Sequence, residues 1–293
     1  METKIVGAVV GSLIVFWLLG HLYGRSLERG LSIRHQRGPS GIIIGAEEIS
    51  RTGTNGAAVL LIHGCGDSPQ TLWRVCAELN RRGYSVLAPL LPGHGRSLAD
   101  FAAHSADDWY AEVRDRYVEL RRTHSWVGVV GLSMGGALSV RLAADTPDIP
   151  ALVLVAPFLA MLRGSDTLVR ASWLWGAFVP RLPTASESSV FDPVARATSV
   201  AYGAMSTRAL RELRLTAHRG WNSLRQVRAP VLVIQSKTDN RVTTADTSRA
   251  FDLLGSAEKS IEWTEGAGHV VTVDFGWQHV ASAIGDWMDS HRR

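Results

Sequence analysis

The six residues Gly131-Leu132-Ser133-Met134-Gly135-Gly136 set a serine between glycines, directly after an apolar run at 126–130 and directly before a run of helical spacing at 135–144. A tight strand-to-helix turn leaves no room for Cβ atoms beside the serine, so the glycines let the backbone close while the hydroxyl projects above the strand end. In a loop such a serine would mean little, and at a helix start it could serve only as a cap. Between a strand and a helix it is placed to act as a nucleophile.

A serine hydroxyl attacks only when a base takes its proton, and that base is typically a histidine oriented by a carboxylate. A nucleophile elbow in a parallel sheet calls for the chain order serine, acid, histidine, with all three at the same sheet edge. Asp239 meets the second requirement in the loop Ser236-Lys237-Thr238-Asp239-Asn240, just past an apolar run at 231–235. His269 meets the third in Gly266-Ala267-Gly268-His269, after a run at 260–264. Of the ten histidines, His269 alone follows a late strand and precedes the final helix; His63 and His94 read as turn-shaping side chains. Asp274 and Glu265 are the reserve acids. A tetrahedral intermediate needs two N–H donors for its oxyanion. Met134 offers one beside the serine, and Cys65, following His63-Gly64, offers the other. The Cys65 thiol has no elbow of its own and is not read as the nucleophile.

The elements that must position these groups alternate. Strand-like runs at 57–62, 84–91, 126–130, 151–156, 231–235 and 260–264 are interleaved with helical spacing at 72–79, 108–122, 135–144, 245–254 and 275–290. The pattern predicts an α/β fold, a mostly parallel sheet with helices on both faces. The rhythm breaks between 158 and 227, where no strand is evident and helix-like stretches hold Leu168, Trp173, Trp175 and Phe178, then Leu210, Leu213 and Leu224. An insertion there lies at the carboxyl end of the sheet, where open α/β folds keep ligands, and reads as a helical cap. Its aromatics fit an acyl-chain pocket or the packing of the cap itself. Its arginines, Arg208, Arg211, Arg214, Arg219, Arg225 and Arg228, fit anionic headgroups or a solvated helix face.

Residues 5–24 are apolar and uncharged apart from His21, long enough for a transmembrane helix. The domain plan is thus an anchor at 1–25, a linker with short edge strands at 26–55, and a catalytic domain at 56–293 with its cap at about 158–227. A cleaved signal peptide is the rival reading, which would export the domain. Lys4 precedes the apolar stretch, whereas Arg25, Arg29, Arg34 and Arg37 follow it, which favours a cytoplasmic catalytic domain. Gly7 and Gly11 form a GxxxG that could pair helices. The 46% hydrophobic and 20% charged composition supports one sizeable core, and the net charge of +4 is spread along the chain, so no nucleic-acid partner is expected. The two cysteines, Cys65 and Cys76, make neither a CxxC nor a Cys/His cluster, and no metal or cofactor is expected.

Over roughly 56–293 the chain resembles the α/β-hydrolase superfamily, and within it the monoacylglycerol lipases and related bacterial carboxylesterases. The resemblance rests on Leu61-Ile62-His63-Gly64, Pro92-Gly93-His94-Gly95, the Gly131–Gly136 elbow and Gly268-His269-Val270-Val271-Thr272-Val273-Asp274. It implies hydrolysis of acyl esters through an acyl-enzyme without metal or cofactor, under a cap that covers an apolar tunnel. By position it implies Ser133, Asp239 and His269 as triad and the amides of Cys65 and Met134 as oxyanion hole. Cys65 departs from the bulkier apolar residue of many relatives, and the soluble enzymes lack the N-terminal span. Thioesterase, acyltransferase, perhydrolase and amidase or aminopeptidase chemistry can use the same triad, and a catalytically silent, membrane-tethered binding protein is the alternative of another class.

Overall fold

The computed structural model describes residues 2–161, 164–184 and 189–292. Seven strands form one sheet: β1 (Ile49–Arg51), β2 (Ala57–Ile62), β3 (Ser85–Ala88), β4 (Trp126–Leu132), β5 (Leu152–Val155), β8 (Val231–Ser236) and β9 (Lys259–Thr264). Their spatial order is β1-β3-β2-β4-β5-β8-β9, with β1 antiparallel to β3 and every other pair parallel. The strand with the serine turn at its end, β4, lies in the middle, between β2 and β5.

The central strands are apolar on both faces because both are covered. Ala58, Leu60 and Ile62 point into one buried cluster, shared with α4 (Ala106–Thr123), α5 (Met134–Asp145) and α9 (Thr207–Ser223). Their neighbours Ala57, Val59 and Leu61 point into the other, shared with α2 (Trp73–Arg81) and α11 (Trp277–Ser290). Period-2 alternation between two apolar layers is what a parallel sheet between helices requires. Helix α10 (Thr244–Leu253) fills the β8–β9 crossover. The short α3 (Leu98–Ala103), which the sequence pattern did not bring out, is started by a capping box between Ser97 and Asp100.

The insertion after β5 holds α6 (Ser165–Arg170), α7 (Ser172–Trp175), α8 (Pro193–Ala197) and α9. It also contains a two-stranded antiparallel ribbon, β6 (Arg181–Pro183) with β7 (Ala204–Ser206), so the expectation of a purely helical cap is corrected. Three-residue strands, one of them containing a proline, carry too little alternation to be seen in sequence. Helix α9 lies close on α5: a Cβ on Gly220 would come within 2.9–3.0 Å of Ala137 backbone and side-chain atoms. The cap arginines are largely engaged within the protein, with Arg214 paired to Asp166 and Arg219 to Asp107.

The N-terminal apolar segment is part of a single helix, α1 (Glu2–Arg34), which continues past residue 25 into the stretch read as linker. It is the one helix among the described residues long and apolar enough to cross a membrane, by length and composition, which fits an anchor or a signal sequence. Beyond it, the 35–56 segment supplies the edge strand β1 and an isolated bridge between Arg37 and Ile43.

Candidate active site

Ser133 sits at the junction of β4 and α5 with φ 55° and ψ −116°, a conformation L-residues rarely adopt. Backbone bonds hold it there. Its N–H donates to the Val155 carbonyl at 2.9 Å, and its own carbonyl accepts from Gly136 and Phe158 at 2.9 and 3.0 Å. The flanking glycines are sterically required: a Cβ on Gly131 would collide with Ser139 and the Gly135 backbone, and one on Gly135 with the carbonyl of Ile62. The Ser133 side chain does not cap α5. Instead its Oγ donates to His269 Nε2 at 2.8 Å, and His269 Nδ1 donates to Asp239 Oδ2 at 2.8 Å. The tautomer follows from the partners, since a carboxylate accepts only and the hydroxyl must then meet an unprotonated Nε2.

Both loops that carry the histidine and the acid are tied down. Asp239 Oδ1 accepts from the amides of Arg241 and Val242 at 2.6 and 2.9 Å, and Oδ2 accepts from Gln235 Nε2 at 2.7 Å. Burial opposes ionisation of Asp239, but the His269 hydrogen bond and charge together with these amides outweigh it and hold the carboxyl below its ordinary range. Ser236 and Thr238 hydroxyls both donate to the Ala267 carbonyl, at 2.6 and 2.7 Å, and so bind the β8 loop to the β9 loop. The reserve acids serve elsewhere. Glu265 pairs with Lys237 at the surface at 2.7 Å. Asp274, fully buried, accepts from four backbone amides: Asp192 and Phe275 on Oδ1, Gly268 and Phe191 on Oδ2, all at 2.7–2.8 Å. It fastens the residue before His269 to the middle of the cap.

The turn before Cys65 lies beside the serine, and Met134 follows it in the chain. A Cβ on Gly64 would lie 3.3 Å from Ser133 Cβ, so the His63-Gly64-Cys65 backbone abuts the hydroxyl. Burial pushes the Cys65 thiol far up, which suits it poorly to nucleophilic attack. His63 is buried with both nitrogens engaged: Nδ1 donates to the Gly64 carbonyl at 2.8 Å and Nε2 accepts from the Leu91 amide at 3.1 Å. Burial lowers its pKa to about 4, and burial also holds that of His94 well below the ordinary imidazole value. Among the described residues no group of three or more His, Cys, Asp or Glu side chains could hold a metal ion.

A cavity of about 730 Å³ opens over Ser133 and His269, lined mainly by apolar side chains from the cap and core, among them Phe158, Leu168, Trp175, Leu213 and Val270. The cap aromatics divide: Trp175 lines this cavity, Phe178 stacks on Phe16 of α1, and Trp173 is 70% exposed. Three charged residues that no sequence pattern singles out also reach the cavity: Asp67, Arg74 and Arg241. Burial raises the Asp67 carboxyl to about 6, against the opposing pull of His269 and Arg241; Arg241 donates from Nε to Ser189 Oγ at 2.9 Å. Nothing local marks Asp67, because the charges that act on it, those of Arg241 and His269, come from loops more than 170 residues away.

Comparison with known proteins agrees with this geometry. A thermostable monoacylglycerol lipase from Bacillus sp. (strain H-257) is 29% identical over 74% of this chain and 84% of its own length. A carboxylesterase from Bacillus subtilis (strain 168) is 23% identical over 74% and 86%. Among solved structures, one from a study of two metagenome-derived lipolytic enzymes, LipS and LipT, superposes with a TM-score of 0.77 at 28% identity, covering 87% of this chain and all of the other. The monoacylglycerol lipase of Paleococcus ferrophilus, at 23% identity and a TM-score of 0.72 over 83% of this chain and 98% of its own, shares the fold. The sequence profile of the Hydrolase_4 family, described as "Serine aminopeptidase, S33", matches residues 53–275, and the chain belongs to this α/β-hydrolase family.

Proposed function

We propose that the protein is a serine esterase that cleaves carboxylic esters of apolar acyl chains, of the carboxylesterase or monoacylglycerol lipase type, with Ser133, His269 and Asp239 as its catalytic triad. The observation that carries this reading is the unbroken pair of 2.8 Å hydrogen bonds from Ser133 through His269 to Asp239 at the floor of an apolar cavity. His269 takes the Ser133 proton as Oγ attacks the ester carbonyl. The oxyanion then forms against the Cys65 and Met134 amides, neither of which has a protein acceptor among the described residues. Collapse of the tetrahedral intermediate expels the alcohol with the proton from His269 and leaves an acyl-Ser133. Water, deprotonated by His269, attacks this ester, and Ser133 regains its proton as the acid departs. Asp239, held ionised by its amides, keeps the imidazole in the required tautomer. In this reading the α1 helix serves as a membrane anchor, and the arginines that follow its apolar stretch favour a catalytic domain on the cytoplasmic side.

The test is hydrolysis of p-nitrophenyl esters of increasing chain length and of monoacylglycerols by wild type and Ser133→Ala, beside labelling with a fluorophosphonate. Turnover and labelling that vanish together in the variant are expected. Labelling without ester turnover would move the substrate to thioesters or amides, and absence of both in folded protein would sink the enzymatic reading.

A further inference from the structure

Helix α1 lies outside the family match, which begins at residue 53, yet it does not stand apart from the enzyme. One stripe of the helix, at i+4 and i+3 spacing, meets the cap and core: Phe16, Gly20, Gly24, Glu28 and Leu31. The Phe16 ring stacks on Phe178 with centroids 5.8 Å apart. A Cβ on Gly20 would collide with the Phe178 carbonyl, and one on Gly24 would lie 3.4 Å from the Arg181 guanidinium. Glu28 accepts from the Leu98 amide at 3.0 Å and pairs with Arg181 at 3.2 Å, and Leu31 is 2% exposed. Gly20 and Gly24 thus form a small-xxx-small face used within the chain, against β6 and the turn before it.

From residue 9 to residue 19 the other faces have no protein cover among the described residues. Residues 9–19 are exposed all round, six large apolar side chains from Leu13 to Leu18 in succession among them. The apolar stretch at 5–24 rises roughly 29 Å at about 1.5 Å per residue, close to the ~30 Å of a bilayer's hydrocarbon core. The docked residues Phe16, Gly20 and Gly24 thus lie in the last turns of that stretch, toward one face of the bilayer, and the exposed Arg25 and Arg29 follow at the depth of lipid headgroups. Beside that level lies the cap edge. The amides of Phe178 and Val179 donate to the Trp175 carbonyl at 2.9 and 3.1 Å, which sets Phe178 one turn beyond α7. On α6 and α7, Leu168, Trp173 and Leu174 are all more than half exposed, while Leu168 and Trp175 also line the cavity. One edge of the cap thus carries an anchor contact, an exposed apolar patch and a wall of the pocket.

We propose that α1 is a retained anchor that also braces the cap, pressing the Leu168, Trp173 and Leu174 edge onto a lipid bilayer so that single-chain acyl esters enter the pocket from the membrane. The substrate half rests on the esterase reading above; the docking half does not. A bilayer is the occupant that a continuous surface of exposed helix and exposed cap edge requires, since one medium must cover both. A cleaved signal sequence would instead remove residues that pack against Phe178.

The test uses the full chain in phosphatidylcholine vesicles containing a minor share of phosphatidylglycerol. The emission of Trp173, taken as the difference between wild type and Trp173→Phe, should be quenched by lipids brominated high on the acyl chain. An unquenched Trp173 in vesicle-bound protein, failure to bind vesicles, or a mature chain that begins beyond residue 25 would each overturn the proposal. Gly20→Leu should abolish the quenching and lower hydrolysis of a long-chain monoacylglycerol held in the same vesicles by at least about tenfold, the equivalent of one large apolar contact. Hydrolysis of a soluble short-chain ester should stay unchanged, which also reports that the variant folds. Glu28→Ala with Arg181→Ala loosens the same joint from its polar side and must give the same split; equal loss on both substrates in both variants overturns the brace. If wild type hydrolyses no ester while Trp173 is quenched, the docking stands and the esterase reading falls.

Discussion

Asp274→Asn separates a loop-holding carboxylate from a catalytic one. Each Asp274 oxygen accepts two backbone amides, and an asparagine has one oxygen. Whichever way the amide is turned, its NH₂ faces two N–H donors, so two charge-assisted bonds are lost in a fully buried site. At about 1.5–3 kcal/mol for a hydrogen bond to a charged group, the variant should be destabilised by roughly 3–6 kcal/mol. For a domain of this size that lowers the melting temperature by roughly 6–20 °C. Activity should fall as well, because the freed Gly268 amide precedes His269, and a shift of about 1 Å in a catalytic group costs on the order of 10²-fold. Thermal unfolding by circular dichroism and kcat/KM on a soluble ester, measured well below the melting point, give the two numbers. A melting temperature within about 2 °C of wild type would refute the bonding argument. A large loss in kcat at unchanged stability would make Asp274, rather than Asp239, the acid of the triad.

Asp239→Asn should leave the fold intact and cut kcat by about 10³–10⁴, since an amide can favour the wrong imidazole tautomer; a loss under tenfold would remove Asp239 from the triad. Ser133→Gly and Ser133→Ala both abolish hydrolysis and the His269 bond, but only glycine relieves the positive φ, so the glycine variant should be the more stable by about 1 kcal/mol, read as midpoints of urea unfolding. Stability should fall between pH 7.5 and pH 5: His63 and His94 have folded pKa values below the unfolded value, so the unfolded chain takes up their protons as the pH drops below about 6.5, at about 2 kcal/mol for His63, whose folded value is about 4, and in the same direction for His94. Asp67 has the opposite sign, its raised carboxyl taking a proton in the folded state near pH 6, and returns about 1 kcal/mol. Denaturant titrations at the two pH values check the sum, and a chain more stable at pH 5 would refute it.

The positions of Ser133, Asp239 and His269 were legible because each follows the carboxyl end of a strand, and a parallel sheet brings such ends to one edge whatever the helices between them do. The glycines around Ser133 were legible for a steric reason that the fold bears out in the close passage of the Ile62 and Gly135 backbones. Asp274 was held as a reserve acid, and its hold on backbone amides was not legible. Its partners include amides more than eighty residues away, and nothing in Val271-Thr272-Val273-Asp274 signals that they will arrive. The ribbon in the cap was invisible for want of length. The last turns of α1 were read as linker because Ser26, Glu28, Arg29 and Gly30 look polar and flexible. They are helical in a place where Glu28 finds an amide and an arginine, tertiary partners that local propensity cannot anticipate.

The same long-range ties explain how a strained serine persists. A non-glycine residue in the Ser133 conformation costs on the order of 1–3 kcal/mol and survives only where its surroundings over-determine it. Here the sheet supplies the Val155 carbonyl, the next strand's loop supplies the Phe158 amide, and α5 supplies Gly136. Phe158 is also where the cap departs, so the chain that positions the nucleophile leads directly into the wall of the pocket. The middle of the cap is held through the Asp192 and Phe191 amides to Asp274, which fixes the loop of His269. Ser133 and His269 are therefore each joined to the cap, one at its start and the other at its middle. Any force on the cap, including one delivered through α1 at Phe178 and Arg181, has a continuous bonded route to the 2.8 Å contact on which the proposed chemistry depends.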